Sequence, residues 1–159
     1  GIAIAYQISQ VPRPNEMPAL FLEGLQDPGN VGTIIRLAEW FGIKALWLSP
    51  DSVDPFHPKV VRASMGSFFR IALAKAKDWK KLLDTFPGAI ALATLHGHSP
   101  REIDWAQVDA LYLGSEGQGV RQAPSRAKPV YIPKAPSARA ESLNVATAAA
   151  ILLYCWRGS

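Results

Sequence analysis

The first residues with chemical potential are an amide and a cation that follow a tight turn. Asn30 comes directly after Pro28-Gly29, and Arg36 lies six residues further along. Proline followed by glycine favours a turn, and asparagine is a good helix N-cap, so capping explains Asn30 alone as well as ligand binding does. Arg36 falls inside the predicted helix among apolar neighbours. A cation there faces solvent or points into a site, and for an isolated arginine solvent is the better interpretation.

The second segment is rich in glycine and contains a carboxylate. Residues 114–119 hold three glycines around Glu116. Glycines let the backbone approach a ligand closely or adopt positive φ. The spacing matches neither the dinucleotide-binding G-x-G-x-x-G nor the phosphate-binding loop that ends in Lys-Ser/Thr. The carboxylate argues against a phosphate ligand and favours one with positive or hydrogen-donating groups.

The third segment places two capping residues before an alanine-rich stretch. Ser142 and Asn144 precede residues 145–156, which are rich in Ala and Leu. Two such residues in tandem are more than one N-cap requires. The free N–H groups at a helix N-terminus also bind polar and anionic groups. The pair is therefore a candidate for both capping and binding.

The elements that must position these segments alternate between strands and helices. Short apolar runs predict strands at 1–6, 19–22, 44–48, 89–95, 110–114 and 130–132. Helical periodicity and stop signals predict helices at 31–41, with Asn30 as N-cap, at 78–86 and at 142–156. This alternation predicts an α/β fold with a mainly parallel sheet and helices on both faces. Ligands bind beyond the carboxyl ends of such strands, where all three segments lie.

The composition is that of one globular domain. The chain has 159 residues, of which 48% are apolar, enough for a single packed core. Its apolar runs are shorter than a membrane span and no signal peptide is visible, so we expect no membrane association. The single cysteine, Cys155, excludes an intramolecular disulfide and suits a cytoplasmic protein. The net charge of +4 favours phosphate-bearing partners only slightly.

Taken together and in this order, the three segments resemble the motifs of the SpoU/TrmH family. They are Asn30-x-Gly32-x3-Arg36, Gly114-x-Glu116-x2-Gly119 and Ser142-Leu143-Asn144-Val145. The resemblance runs from about residue 20 to residue 154, and residues 61–70 are also of the family type. The stretch SLNVATAAAILLY at 142–154 is the most specific part.

The resemblance implies a knotted S-adenosylmethionine-dependent RNA methyltransferase that transfers a methyl group to a ribose 2′-hydroxyl. It implies a C-terminal deep trefoil knot, a homodimer with the last helix near the interface, and no metal. Residues 1–18 would be a strand and linker following a missing RNA-binding domain, and residues 19–159 the methyltransferase domain. Ribosomal RNA is slightly preferred over transfer RNA as the substrate because of this linker.

The resemblance also assigns roles to individual residues. Arg36 would stabilise the developing alkoxide and contact the adjacent phosphate. Asn30 would orient Arg36 or the ribose, Glu116 would fix the Arg36 and Asn30 side chains, and Ser142 and Asn144 would hold the nucleotide. The methyl donor would contact Ala93, Thr94, Leu95, Gly114, Ser115, Gly119, Ile132 and Leu143.

Other residues remain open. Residues 134–141 form a longer and less glycine-rich segment than is usual in the family, so the donor loop is expected to differ in shape. His96-Gly97-His98 lacks a nearby carboxylate or thiol and is better explained as a loop beside the donor pocket than as a metal site. Cations near the motifs are candidates for RNA contact: Arg121, Arg126, Lys128, Lys134 and Arg139.

Three alternatives stay open on the sequence. The first is a knotted methyltransferase that acts on an RNA base. The second is an RNA-binding relative that has lost activity, although every matched polar position is intact. The third is an unrelated nucleotide-binding enzyme.

Overall fold

The fold is a twisted sheet flanked by helices, as seen in a computed structural model that describes residues 11–158. The strands are β1 (Ala19–Glu23), β2 (Ala45–Leu48), β3 (Ala72–Lys75), β4 (Ile90–His98), β5 (Ala110–Gly114) and β6 (Lys128–Val130). The helices are α1 (Pro28–Trp40), α2 (Pro58–Ala63), α3 (Trp79–Thr85) and α4 (Val145–Arg157). The strand predicted at 1–6 lies outside the described residues.

The sheet has six strands in the order β3-β2-β1-β5-β4-β6, and every neighbouring pair is parallel. The central strand β1 is buried along its whole length, as expected of a strand covered on both faces. In the register of β1 and β5, Glu23 is the partner of Gly114. The prediction of an α/β fold with a mainly parallel sheet is therefore confirmed.

Two apolar cores lie on opposite faces of the sheet because successive strand residues point to opposite sides. On one face, Leu20 and Leu22 pack with α1, α2 and α4. On the other face, Phe21 and Tyr112 pack with α3, and the ring of Trp79 stands edge-on to Phe21 at 6.0 Å. The helices thus cover both faces, as the sequence predicted.

Helix α1 begins earlier than its predicted start. Its N-cap is Asp27, whose carboxylate accepts a hydrogen bond from the Asn30 N–H at 2.7 Å. Pro28 occupies the first turn of α1, where the N–H that proline lacks would have no partner within the helix. The fixed φ of proline is also close to the helical value. The prediction that Asn30 is the N-cap is therefore wrong, and the Asn30 side chain is left available for a different contact.

Two elements were not predicted, and two predicted strands have different limits. Helix α2 and strand β3 are too short to give a clear periodicity. Strand β6 ends at Val130, before Ile132, while β4 continues to His98 through a shift in its register with β6. The shift lets the His98 carbonyl accept from the Tyr131 N–H at 3.0 Å.

Within residues 11–158 no helix combines the length and apolar character needed to cross a membrane.

Candidate active site

A cleft of about 940 Å³ opens at the carboxyl ends of β4, β5 and β6. Its floor is apolar and includes Leu92, Leu113, Val130 and Leu152. Ligands of parallel sheets bind at this end of the strands. All eight residues that the resemblance assigned to the methyl donor line this one cleft: Ala93, Thr94, Leu95, Gly114, Ser115, Gly119, Ile132 and Leu143.

One wall of the cleft is a tight hairpin formed by residues 114–119. The Gly119 N–H donates to the Ser115 carbonyl at 2.8 Å, and these two residues form an antiparallel bridge. The Gln118 N–H also donates to the Ser115 hydroxyl at 3.3 Å. A Cβ at Gly114 would lie 2.1 Å from the carbonyl carbon and oxygen of Gly119, so only glycine fits there. These glycines were predicted to let the backbone approach a ligand closely. In the structure, Gly114 and Gly119 first of all allow the hairpin to close.

The carboxylate of Glu116 connects hairpin 114–119 to the N-terminus of α4. Its Oε1 accepts from the Asn144 side-chain amide at 2.9 Å and from the Val145 N–H at 2.9 Å. A carboxylate is favourable here because the first N–H groups of a helix are unpaired and carry partial positive charge. Glu116 therefore holds the hairpin and α4 in a fixed relation.

The side chain of Asn144 is fully occupied by its neighbours. Its Oδ1 accepts from the N–H groups of Ala146 and Thr147 at 2.9 and 3.3 Å, which caps α4. Its Nδ2 donates to Glu116 and, at 3.0 Å, to Oδ1 of Asn30. Residues from the first, second and third sequence segments thus meet at one amide group, and this fixes the orientation of both asparagines.

Arg36 does not belong to this hydrogen-bonded cluster. Its side chain is exposed and has no hydrogen bond or ion pair with any residue in the described part of the chain. Six positions along an α-helix correspond to about 9 Å of rise and a rotation of about 240°, so Arg36 and Asn30 project to different sides of α1. The expected contact of Glu116 with Arg36 is therefore not formed within residues 11–158, whereas its connection to Asn30 runs through Asn144.

A second wall of the cleft includes residues of segment 133–144, among them Ser142 and Leu143. Nearly all of it is exposed. Within it, the Lys134 ammonium donates to the Ala140 carbonyl at 3.2 Å, and the Ala138 N–H donates to the Ala135 carbonyl at 2.9 Å. This is the segment whose length and composition depart from the family pattern.

Two of the cations considered for RNA contact are engaged inside the protein. Arg121 pairs with Glu23 and Asp51. The guanidinium of Arg126 donates to the carbonyls of Leu83 and Phe86 at the end of α3. Lys128, Lys134 and Arg139 remain exposed. The first two arginines therefore have structural partners that sequence position could not reveal.

The sequence interpretation missed Glu23, a buried carboxylate beside hairpin 114–119. It accepts from the Tyr112 hydroxyl at 2.9 Å and from the Arg121 N–H at 2.7 Å. Burial raises the pKa of the Tyr112 phenol far above its ordinary value, and the protonated hydroxyl donates to Glu23. The available signal was a glutamate that ends an otherwise apolar strand at the carboxyl edge of the sheet.

His96 and His98 are exposed. Across residues 11–158, no group of three or more His, Cys, Asp or Glu side chains is arranged to hold a metal ion.

Comparison with known proteins finds relatives that are named as RNA methyltransferases. An uncharacterized tRNA/rRNA methyltransferase of Synechocystis is 40% identical over 93% of this chain and 56% of its own length. The 23S rRNA (guanosine(2553)-2'-O)-methyltransferase RlmP of Bacillus subtilis is 36% identical over 87% of this chain and 57% of its own length. The chain thus spans little more than half of these relatives.

A solved structure shares the fold closely. The AdoMet-bound rRNA methyltransferase of Sinorhizobium meliloti superposes with a TM-score of 0.80 and 32% identity, covering 98% of this chain and 58% of that one. A model of the SpoU rRNA Methylase family matches residues 17–154, which include the cleft, hairpin 114–119 and α4. The chain therefore belongs to the SpoU rRNA methylase family.

Proposed function

We propose that this chain is the catalytic part of an S-adenosylmethionine-dependent RNA methyltransferase that modifies a ribose 2′-hydroxyl. The observation that carries the proposal is the bonded cluster of Glu116, Asn144 and Asn30 beside an apolar cleft. The cluster gathers side chains from three distant segments and holds them in one orientation. Such fixed polar groups are what a group-transfer site needs, because orientation before reaction lowers the barrier.

The cleft suits the methyl donor in size and charge. S-adenosylmethionine supplies an electrophilic methyl group on a positively charged sulfonium. Among the side chains that line the cleft, two carboxylates, Glu116 and Glu141, accompany one lysine, Lys134. A polyphosphate ligand would need more cations than this cleft provides, whereas a sulfonium compound with a flat aromatic base matches it. The Sinorhizobium relative, an AdoMet-bound rRNA methyltransferase, supports the same assignment.

The acceptor side of the site is proposed to be built around Arg36. A guanidinium stays protonated, so its role is to stabilise negative charge on the ribose oxygen and to contact the neighbouring phosphate, not to remove the proton as a base. The hydroxyl proton would pass to solvent as the oxygen–methyl bond forms and the methyl–sulfur bond breaks. Its lack of a partner among the described residues leaves it available for RNA. Asn30 would then hold the ribose, kept in its orientation by the amide of Asn144, and Ser142 would close the polar wall.

The ribose is favoured over a base as the acceptor for two reasons. The cluster offers amides, and α1 also carries the exposed guanidinium of Arg36; these groups suit an alkoxide and its phosphate better than a ring nitrogen. The Bacillus relative, moreover, is named as a 2′-O-methyltransferase of 23S rRNA. That name also supports ribosomal RNA over transfer RNA as the substrate. A relative that binds RNA without methylating it is the competing hypothesis.

We further propose the assembly that the family implies. Residues 19–159 would form the methyltransferase domain of a longer cytoplasmic protein, with a trefoil knot near the C-terminus and a second copy of the chain as partner. Exposed apolar side chains on α1 and α4 support a dimer surface, since Trp40 is 80% and Tyr154 66% exposed. Sedimentation of the protein at several concentrations would test the dimer.

The function is tested by calorimetric titration with S-adenosylmethionine, followed by nucleoside analysis of treated ribosomal RNA, for the wild type and Arg36→Ala. We expect both proteins to bind the donor, and only the wild type to produce a 2′-O-methylated nucleoside. Loss of one charge-stabilising group typically lowers such a rate by about 100–1,000-fold. A methylated base would contradict the ribose assignment. Donor binding without any methylated product would favour the inactive relative, and a folded wild type that binds no donor would contradict the enzyme proposal.

A further inference from the structure

Glu23 is a buried carboxylate at the carboxyl end of the central strand β1. Its side chain is 1% exposed. Oε2 accepts from the Tyr112 hydroxyl and the Arg121 N–H, and Oε1 lies 3.5 Å from the Arg121 Nε. Burying a carboxylate is unfavourable unless both oxygens have partners, which is the case here. An apolar residue would fill this position in the core more simply, so the carboxylate has a specific reason to be present.

Both ends of hairpin 114–119 meet Glu23. Gly114, where the hairpin begins, is the register partner of Glu23 between β1 and β5. Arg121, two residues beyond the end of the hairpin, returns its N–H to the carboxylate of Glu23. One residue therefore fixes where the hairpin leaves the sheet and where it returns. Because the hairpin itself is tightly closed, fixing its two ends fixes its tip.

The surroundings of Glu23 hold its carboxylate in place. The indole N–H of Trp79 donates to the Tyr112 hydroxyl at 3.0 Å, which orients that hydroxyl toward Glu23. On the outer side, the Arg121 guanidinium also bonds to Asp51, whose carboxylate accepts from the Ser49 hydroxyl. The chain of contacts extends from the α3 side of the sheet to the loop after β2. Glu23 lies at its centre.

We propose that Glu23 is a positioning residue for methyl transfer, acting through hairpin 114–119 on Glu116. The carboxylate of Glu116 reaches Asn144 and the Val145 N–H only if the tip of the hairpin lies at the correct height above the sheet. Glu23 sets that height without touching the cleft. The inference rests on the proposed function, because it assigns Glu23 a part in the same reaction.

The test compares Glu23→Gln, Glu116→Gln and the double variant with the wild type. Glu23→Gln keeps the size of the side chain but removes its charge. A small displacement at a reacting centre can cost on the order of 100-fold, so we expect kcat to fall about 10–100-fold while the protein stays folded. In the Glu116→Gln background, the same substitution should cost less than about threefold, because residues that act through one another are not additive.

The matched control is Glu39→Gln. Glu39 also pairs with an arginine, Arg70 at 3.6 Å, and accepts from the Ser67 hydroxyl at 2.8 Å. Like Glu23 it is a carboxylate paired with an arginine and a hydroxyl, but its side chain is 34% exposed and makes no described contact with hairpin 114–119. We expect its kcat to stay within about twofold of the wild type. Thermal unfolding of all variants measures any purely structural effect.

Hydrogen exchange supplies a readout that does not depend on activity. Glu23→Gln should speed exchange at the amides of Gly119 and Val145, which report on the closure of the hairpin and on its bond to α4, and Glu39→Gln should not. The proposal would be overturned if Glu23→Gln lowered kcat equally in the wild-type and Glu116→Gln backgrounds. It would also be overturned if Glu23→Gln lowered the melting temperature but left kcat and exchange at Val145 unchanged. If the wild type methylates no RNA, the proposed function fails, and exchange at Val145 alone decides whether Glu23 positions the hairpin.

Discussion

The two walls of the cleft are held in very different ways. Hairpin 114–119 is closed by its own backbone bonds, fastened to Glu23 at its ends and bonded to α4 through Glu116. Segment 133–144 is mostly exposed, and its described internal contacts are the Lys134–Ala140 and Ala138–Ala135 hydrogen bonds. The wall that carries the carboxylate is therefore fixed in advance, whereas residues 133–143 of the other wall, before the bonded Asn144, have few fixed contacts, and we expect them to adapt to a ligand.

Among substitutions in the two walls, the largest effect should come from Gly114→Ala, which breaks the rigid wall. The new Cβ would meet the Gly119 backbone at 2.1 Å, and backbone cannot move aside as a side chain can. Overpacking of this kind costs about 1–3 kcal/mol, which corresponds to a loss of roughly 5–150-fold in affinity if it falls on the bound state. Calorimetry with S-adenosylmethionine measures it.

Gly117→Ala is the control within the same hairpin. No atom lies within 4 Å of a Cβ at Gly117, and its φ is not positive. Donor affinity should therefore equal that of the wild type. If both alanine variants bound the donor normally, the hairpin would not be the rigid wall.

The next largest effect should come from Glu116→Ala, which disconnects the hairpin from α4. The variant loses hydrogen bonds from the Asn144 amide and the Val145 N–H. Hydrogen bonds to a charged group contribute about 1.5–3 kcal/mol, so we expect methyl transfer to slow by roughly 10–100-fold. Single-turnover rates measure the effect. Gln118→Ala, at an exposed neighbouring position, serves as the control. If its single-turnover rate fell as much as that of Glu116→Ala, the hairpin tip as a whole would matter and not the carboxylate.

A small effect is expected from Lys134→Ala on the adaptable wall. The substitution removes one exposed hydrogen bond, to the Ala140 carbonyl. Surface changes of this type are usually worth less than about 0.5 kcal/mol, so donor affinity should change by no more than about threefold. Calorimetric titration compares this variant with Gly114→Ala. A larger loss for Lys134→Ala would reverse the assignment of rigid and adaptable walls.

The smallest effect should come from Asp51→Asn, which removes the outer partner of Arg121. The hydrogen bond from Ser49, and then Arg121, lower the pKa of Asp51 below its ordinary value of 3.8. Its ionised form therefore stabilises the fold above that value, and the contribution is lost as pH falls through the lowered pKa. Urea unfolding should show a slightly less stable variant at pH 7 and no difference well below pH 3.8. If Asp51→Asn were still less stable than the wild type in acid, the loss of stability would be due to packing and not to charge.

Much of the fold could be predicted because buried strands and amphipathic helices leave local patterns. The limits of β1, β2, β5 and α3 agree with the predicted ones to within one residue. The predictions failed where two local rules competed, as at the start of α1. Both Asp27 and Asn30 are good N-caps, and the position of Pro28 decided for Asp27.

The motifs identified the segments of the site but not the contacts among their side chains. Asn30 and Asn144 are 114 positions apart in sequence and are joined at 3.0 Å. Glu116 was expected beside Arg36, yet it bonds to α4. Arg121 was a candidate for RNA contact, yet it pairs with Glu23, which no motif contained.

Local sequence patterns were enough to predict the α/β alternation and the three polar segments, because helix periodicity, strand burial and turn chemistry act over a few residues. Only the tertiary structure decided that Glu116 bonds to Asn144, that Arg36 projects away from Asn30, and that Glu23 fastens the hairpin. Those contacts depend on strand order and on the exact rotation of each helix. Because β1 and β5 are neighbours in the sheet, residues separated by 98 positions, Glu23 and Arg121, share one hydrogen bond.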